Sequence, residues 1–346
     1  MTEAIHFPEV LSEAMSIPGL SASAARLAFD AILQGQWTAA QIAGLLVALR
    51  AKPDSPAVIA AAAQSLRAAM LPVEHPFDVV VDTCGTGGDG TKSLNLSTGA
   101  AIMLAAMGIV VAKHGNRAMS SRTGAADVLE KLGIPINLAP RASAHVLREV
   151  GITFLMAPTH HPAMRYAAPV RRELGVKTIF NILGPLTNPA GAKQQVMGVF
   201  HPDLVGIQIR VLQRLGARHA MTVFGLEGLD EISISGKTMI GELKDGRIEE
   251  YSVHPERFGL PLHDPRALCV ETVEASRAMV LGVLDNKPGA ARDIVALNAG
   301  AAIYVAGKAA SMEEGVETAF EAIASGAARA KLDKLAQLTQ KLGGAG

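Results

Sequence analysis

The stretch Asp82-Thr83-Cys84-Gly85-Thr86-Gly87-Gly88-Asp89-Gly90 constrains this chain more than any other. The apolar run Phe77 to Val81 leads into it. The polar string Ser93-Leu94-Asn95-Leu96-Ser97-Thr98 leads out of it, to the apolar helical run Gly99 to Met107. This order predicts a strand, a glycine loop and a capped helix. Glycines carry no Cβ, so backbone N–H groups in such a loop can approach a phosphate closely. The helix start adds orphan N–H donors and the positive end of its dipole. The spacing is neither the G-x-G-x-x-G dinucleotide fingerprint nor a P-loop ending in Gly-Lys-Ser/Thr. A tight turn needing positive φ would also account for the glycines taken alone.

A second segment narrows the choice. Lys113-His114-Gly115-Asn116-Arg117 follows the short apolar run Ile109 to Ala112, and Ser120-Ser121-Arg122-Thr123-Gly124 comes soon after. Cationic and hydroxyl side chains thus gather beside a second strand end, where open α/β sheets bind their ligands. Two neighbouring strand-end loops suited to anions are more than turn geometry asks for.

Around these loops the chain divides in two. Residues 9–70 read as helices. Ser21 or Ser23 caps one of them and Thr38 the next, with Ile42, Leu45, Leu46 and Leu49 on one side; an alanine-rich helix covers Ser55 to Met70. The alanine-rich face suits packing on a second subunit or on the rest of the chain equally well. From residue 77, strand candidates at 77–82, 109–112, 153–156, 196–200, 219–224 and 231–234 alternate with helices at 97–107, 124–132, 141–149, 203–215, 271–282, 289–306 and 312–341. The last helix breaks near Gly326. Asp245-Gly246 signals a hairpin. The alternation predicts a largely parallel α/β sheet flanked by helices. The segment His160 to Pro189, with prolines at 162, 169, 185 and 189 and the basic residues Arg165, Arg171, Arg172 and Lys177, reads as an irregular connection lining a cleft between domains.

Composition excludes several classes. The 346 residues carry no formal net charge, so no global basic field holds nucleic acid. Hydrophobic residues make up 49% and aromatics 4%, which makes the core aliphatic. Cys84 and Cys269 lie far apart, without metal-ligand spacing, which fits a reducing cytoplasm rather than a disulfide scaffold or zinc site. Met1 to Pro8 lacks the features of a signal peptide. The longest apolar run, Ala100 to Ala112, is too short to cross a bilayer.

Asp230-Glu231 is a pair of adjacent acids at a loop–strand junction. Such pairs are usually solvated charges. In a chain with phosphate-type loops they also suit Mg²⁺, which takes one or two carboxylates, waters and substrate phosphate oxygens.

Taken together, Gly85-Thr86-Gly87-Gly88-Asp89, Asn95-Leu96-Ser97-Thr98, Lys113 to Arg117, Pro169-Val170-Arg171-Arg172-Glu173-Leu174-Gly175, Asn181 to Pro189 and Leu229-Asp230-Glu231 resemble the anthranilate phosphoribosyltransferases, of the nucleoside-phosphorylase-like group. The motifs fall in the family's order along the chain, and Leu96, often isoleucine in the family, is a conservative difference. The resemblance implies a small N-terminal helical domain at 1–72, rejoined by a returning segment at about 160–189. A larger α/β domain, with a mostly parallel central sheet flanked by helices, covers 73–159 and 190–346. It implies transfer of phosphoribosyl from phosphoribosyl pyrophosphate (PRPP) to the amino group of anthranilate in tryptophan biosynthesis, with Mg²⁺, in a cytoplasmic homodimer formed through the helical domain.

Residue by residue, the resemblance places PRPP on Gly85, Gly88, Asp89, Ser93, Asn95, Leu96, Ser97 and Thr98. The run Lys113, His114, Gly115, Asn116, Arg117, Ala118, Met119, Ser120 and Ser121 completes that site. Anthranilate falls to Gly85, Asn116 and Arg171, and the metal to Ser97, Asp230 and Glu231. A guanidinium suits a carboxylate, although spacing alone does not choose between Arg171 and Arg172. His114 is open between general base and substrate positioning, and no residue is assigned to chemistry. His160 and His161 read as loop residues near where anthranilate would arrive. Two other readings share the fold: a pyrimidine nucleoside phosphorylase, which needs no magnesium carboxylates, and a non-enzymatic nucleic-acid binder, which would show a basic groove and a degraded glycine loop.

Overall fold

The computed structural model describes residues 6–52, 55–88, 90, 94–117 and 124–343. Four helices open the chain: α1 (Phe7–Met15), α2 (Ala22–Leu33), α3 (Ala39–Arg50) and α4 (Pro56–Ala69). Local chemistry sets their starts. The Ser21 hydroxyl accepts from Ala24 N–H. Thr38 and Gln41 form a reciprocal capping box, a device worth about 1 kcal/mol. Pro56 opens α4, where its missing N–H costs nothing.

Seven strands then form one sheet among the described residues, in the order β3-β2-β1-β4-β5-β6-β7. They are β1 (Val81–Asp82), β2 (Val111–Gly115), β3 (Ile152–Met156), β4 (Gln194–Gly198), β5 (His219–Gly225), β6 (Thr238–Lys244) and β7 (Arg247–Val253). β1 to β5 are parallel, and β6 and β7 add an antiparallel hairpin at one edge. The first three strands build outward on one side of β1, and β4 then joins its other side. The strand order therefore reverses at β1, and open α/β sheets bind ligands at such a switch point.

Alternate side chains send the sheet into two large cores, with a smaller third cluster holding Ala112 of β2 and Leu155 of β3. Val196, Met221 and Val223 join a cluster with α5 (Leu96–Ala106) and the helices Val273–Leu284, Ala290–Val305, Met312–Ala324 and Ala327–Gly343. Met197, Val199, Ala220 and Phe224 face the other way, into a cluster shared by α2, α3, α4 and the helix Asp203–Arg214. The same cluster takes in Ala167, Val170, Phe180, Leu183 and Leu186, so the 160–189 segment packs with the helical unit. The architecture is a small N-terminal helical domain on a larger α/β domain. Three passes of chain between them are laced by hydrogen bonds: Leu71 N–H to the His160 carbonyl (2.8 Å) and Val73 N–H to that of Pro189 (2.9 Å).

Three sequence expectations change. The strand expected at 77–82 is confined to Val81–Asp82. Residues 231–234 are not a strand, although Ile232 and Ile234 are buried. Side chains take up the backbone groups there: Asn298 bonds both the N–H (2.8 Å) and the carbonyl (2.9 Å) of Ile232, and Thr238 accepts from Ser233 N–H. The 160–189 segment is not irregular but a chain of short helices, Pro162–Tyr166, Ala168–Leu174, Phe180–Leu183 and Gly184–Leu186, three of them with proline at the first or second position.

Candidate active site at the switch point

The carboxyl ends of β1, β2, β4 and β5 meet at one place. The loop after β1 carries Gly85 to Gly88, and its Thr86 N–H donates to the carbonyl of Gly198, the last residue of β4 (2.8 Å). Gly87 and Gly88 have φ of +61° and +76°, which favour glycine. Gly85 is glycine for a different reason, close approach: a Cβ there would lie 3.0 Å from the Gly198 carbonyl oxygen and 3.3 Å from Asp230 Oδ2. A Cβ on Gly198 would overlap the backbone carbonyl of Asp230. The acid pair is half-buried in the turn after β5, and Asp230 is packed against the end of β4 with its carboxylate toward Gly85.

From β2 comes the cation. Lys113 is buried and its Nζ donates to Ser97 Oγ in the first turn of α5 (2.9 Å). Asn95 is the residue before α5, and Leu96 and Thr98 are buried within it. Asn95 Oδ1 and Thr98 Oγ1 have no hydrogen-bond partner among the described residues. Gly115, at the end of β2, leaves no room for a side chain beside Phe154. Asn116 and Arg117 are exposed, and Arg117 pairs with Asp127 (2.8 Å) and Glu130 (2.7 Å). Asp89, Ser93, Ala118, Met119, Ser120 and Ser121 lie outside the described residues.

A buried network ties these strand ends to the helical side. Asp82, wholly buried at the end of β1, accepts from His114 N–H (3.2 Å) and Asn188 Nδ2 (2.7 Å). Burial pushes its carboxyl up to about 6, against the pull of Asn188 and Lys113. His114 Nδ1 bonds the Gly184 carbonyl (3.0 Å), and Gln195 Nε2 bonds that of Pro185 (2.8 Å). A carbonyl only accepts, so Nδ1 carries the proton and Nε2 of the neutral ring presents its lone pair. Burial, then the neighbouring His161, His160 and Lys113, hold His114 well below the usual histidine range. The His161 ring lies 5.2 Å from that of His114, and burial together with His160 pushes it down to about 4. Both His160 and His161 are buried rather than in an open loop, because His160 closes the short helix Ala157–His160 and bonds Leu71.

Arg171 stands in the last turn of the helix Ala168–Leu174, half-buried over the Phe180 ring (5.3 Å). Burial lowers its pKa, so a carboxylate ligand would relieve its desolvation. Arg172 is exposed. The structure therefore joins Gly85 with Asp230, and Ser97 with Lys113, while Arg171 sits on the returning segment. Sequence reading named Asp82, Asn188 and Lys177 within their motifs but gave none of them a role; only their tertiary partners single them out.

The donor set suits Mg²⁺. Among the described residues no group of three or more His, Cys, Asp or Glu is placed to hold a metal alone. A metal beside Asp230 and Glu231 would complete its shell with phosphate and water, which is how Mg²⁺ is commonly bound.

The comparisons agree with this geometry. Residues 8–70 match the glycosyl transferase family helical bundle domain, and residues 78–329 its a/b domain. An anthranilate phosphoribosyltransferase of Laribacter hongkongensis is 58% identical over 313 residues, 90% of this chain and 91% of that protein. The crystal structure of the Thermus thermophilus enzyme superposes with a TM-score of 0.91 at 41% identity, covering 96% of this chain and 99% of that one. The Saccharomyces cerevisiae enzyme in complex with PRPP and Mg gives 0.89 at 26% identity, covering 97% and 98%. The chain belongs to the anthranilate phosphoribosyltransferase family, within the glycosyl transferases built from a helical bundle and an a/b domain.

Proposed function

We propose that the protein transfers the phosphoribosyl group of PRPP to the amino group of anthranilate and releases pyrophosphate, as a Mg²⁺-using pentosyltransferase of tryptophan biosynthesis. The observation that carries this reading is the convergence of the glycine loop, Lys113 and Asp230 at the switch point of the sheet. A nucleoside phosphorylase is not favoured, since the relatives with high identity are anthranilate phosphoribosyltransferases.

As the bond from the anomeric carbon to pyrophosphate breaks, the leaving group gains negative charge and the ribose becomes cationic. Gly85, Gly88 and Asp89, with Ser93, Asn95, Leu96, Ser97 and Thr98 at the start of α5, receive PRPP. Their backbone N–H groups and the dipole of α5 stabilise the departing charge. Lys113 adds a cation, and His114, Gly115, Asn116, Arg117, Ala118, Met119, Ser120 and Ser121 complete the set of residues that bind PRPP. Asp230 and Glu231, with Ser97, hold Mg²⁺, which when bound neutralises diphosphate charge. The Ser97 hydroxyl has a second lone pair besides the one used by Lys113.

Arg171 binds the carboxylate of anthranilate, and Gly85 and Asn116 frame its ring. The neutral Nε2 of His114 accepts a hydrogen bond from the aromatic amine and so orients it. Positioning of the two substrates supplies the remaining rate enhancement. We place the helical domain at 1–72 with 160–189, and the α/β domain at 73–159 and 190–346. The limits of the two family matches, 8–70 and 78–329, support the break near residue 72, and the packing of Ala167, Val170, Phe180 and Leu183 in the cluster of α2, α3 and α4 supports the return of 160–189. The protein acts as a homodimer in the cytoplasm; exposed Met15, Ile17, Leu27 and Val47 on the helical domain support the dimer. No helix among the described residues is long and apolar enough to cross a membrane.

The test is a fluorescence assay of anthranilate consumption. It should require PRPP and Mg²⁺ together and stop when either is withheld. Metal-independent phosphorolysis of a pyrimidine nucleoside, with no use of anthranilate, would refute the proposal.

A further inference from the structure

Lys177 lies on the returning segment, just past the helix Ala168–Leu174 that carries Arg171. Gly175, with φ of +63°, ends that helix in the left-handed conformation and turns the chain back toward the sheet. The Lys177 ammonium then reaches across to the glycine loop. Its Nζ donates to the Gly88 carbonyl at 2.8 Å and lies 3.6 Å from the centroid of the Phe200 ring. Phe200 is itself tied to the loop, its N–H donating to Thr86 Oγ1 (3.2 Å). A Cβ on Gly88 would sit 3.5 Å from the ammonium, so the lysine packs where a side chain at position 88 would begin.

This is an unusual place for an exposed lysine. An aromatic face restricts a long, flexible cation to one side. Here the side it is restricted to is the loop whose backbone suits phosphate. A cation held beside such a loop attracts an anion entering it. The same short segment also bears Arg171, turned over Phe180. The segment thus carries one cation toward each half of the site.

We propose that Lys177 is a further donor-binding residue. Its ammonium contacts a phosphate oxygen of the PRPP diphosphate beside Gly88, and so ties the segment bearing Arg171 to the loaded glycine loop. The inference rests on the proposed transfer reaction for the identity of the donor. Lys177 differs from Lys113 in kind. Lys113 is buried, with its partner fixed in α5, whereas Lys177 is exposed and comes from the other side of the cleft. It therefore closes on the ligand instead of lining the floor beneath it.

The experiment is a calorimetric titration of the full chain with inorganic pyrophosphate and Mg²⁺, repeated with PRPP, on the wild type, Lys177→Met and Lys177→Arg. Methionine keeps an unbranched apolar stem of similar reach and removes the charged ammonium. The expected result is a loss of about tenfold or more in affinity for both probes in the methionine variant, or about 1.4 kcal/mol. Its salt dependence should be shallower. Arginine should restore most of the affinity. Wild-type pyrophosphate affinity in Lys177→Met would overturn the proposal. So would an equal loss in Lys177→Arg, because that would mark packing and not charge. If the wild type fails to consume anthranilate, the transfer reaction falls, whereas the pyrophosphate titration reads Lys177 independently of the acceptor.

Discussion

Replacing Gly198 by alanine would place a methyl group where the backbone carbonyl of Asp230 now lies. The obstacle is main chain, so no side-chain rotation relieves it. The turn that carries the acid pair is pinned on both sides. The Leu229 carbonyl accepts from Gly225 N–H (2.8 Å), and Ile232 N–H is held by Asn298 Oδ1 (2.8 Å). Overpacking a well-packed site costs about 1–3 kcal/mol, and pinning puts this case near the upper figure. The strain is relieved only by moving Asp230 away from Gly85. A shift of about 1 Å in a positioned catalytic group lowers rate by roughly a hundredfold. The expected outcome is therefore double: a loss of about 2–3 kcal/mol in urea unfolding, followed by the single tryptophan, Trp37, and a rise of about tenfold or more in the Mg²⁺ needed for half-maximal activity. Gly236→Ala is the control, because a Cβ there meets open space and the backbone is not left-handed. Its stability should stay within about 0.5 kcal/mol of wild type. If Gly198→Ala matches this control in both unfolding and Mg²⁺ titration, the close packing of Asp230 on β4 does not position the acid pair.

Arg171→Gln should raise KM for anthranilate by about tenfold or more, the scale of one lost charge-assisted pair, and leave KM for PRPP nearly unchanged; steady-state kinetics varying each substrate would show equal effects if the assignment is wrong. Asp230→Asn with Glu231→Gln should abolish Mg²⁺-stimulated turnover while the fold, read by far-ultraviolet circular dichroism, is kept; retained stimulation would remove the acids from the metal site. Stability should also depend on pH in two opposed ways. His161 is pushed down to about 4 when folded and protonates near 6.5 when unfolded, so its contribution is lost as pH falls between those values, at about 1.4 kcal/mol per pH unit. Asp82 has the opposite sign: its folded value of about 6 exceeds the unfolded 3.8, so stability rises as pH falls between them. His161→Gln should therefore flatten the acid loss seen by urea unfolding between about pH 7 and pH 5, and an unchanged slope would contradict the burial argument.

Local chemistry made the glycine loop, the start of α5 and the end of β2 legible from sequence. Glycines that need positive φ, a polar string before an apolar helix and a lysine at a strand end are all short-range signals. The hairpin at Asp245-Gly246 and the break at Gly326 were equally plain, since all three residues adopt positive φ. The 160–189 segment was harder because prolines both interrupt and begin helices. Here Pro162 and Pro169 occupy the first and second positions of their helices. Residues 231–234 alternate like a strand, yet Asn298, more than sixty positions away, satisfies their backbone. Asp82 and Lys177 stand inside motifs the sequence shows, but nothing local marks what each one bonds. One is defined by Asn188 and His114, the other by Gly88 and Phe200, and only the fold brings those partners together.

The central claim is that the donor binds where the strand order reverses. A crystal structure of this protein with PRPP and Mg²⁺ tests it most directly. The account predicts the diphosphate against Gly85 and Gly88, with Mg²⁺ between it and Asp230. PRPP bound elsewhere, with the glycine loop and the acid pair untouched, would contradict it.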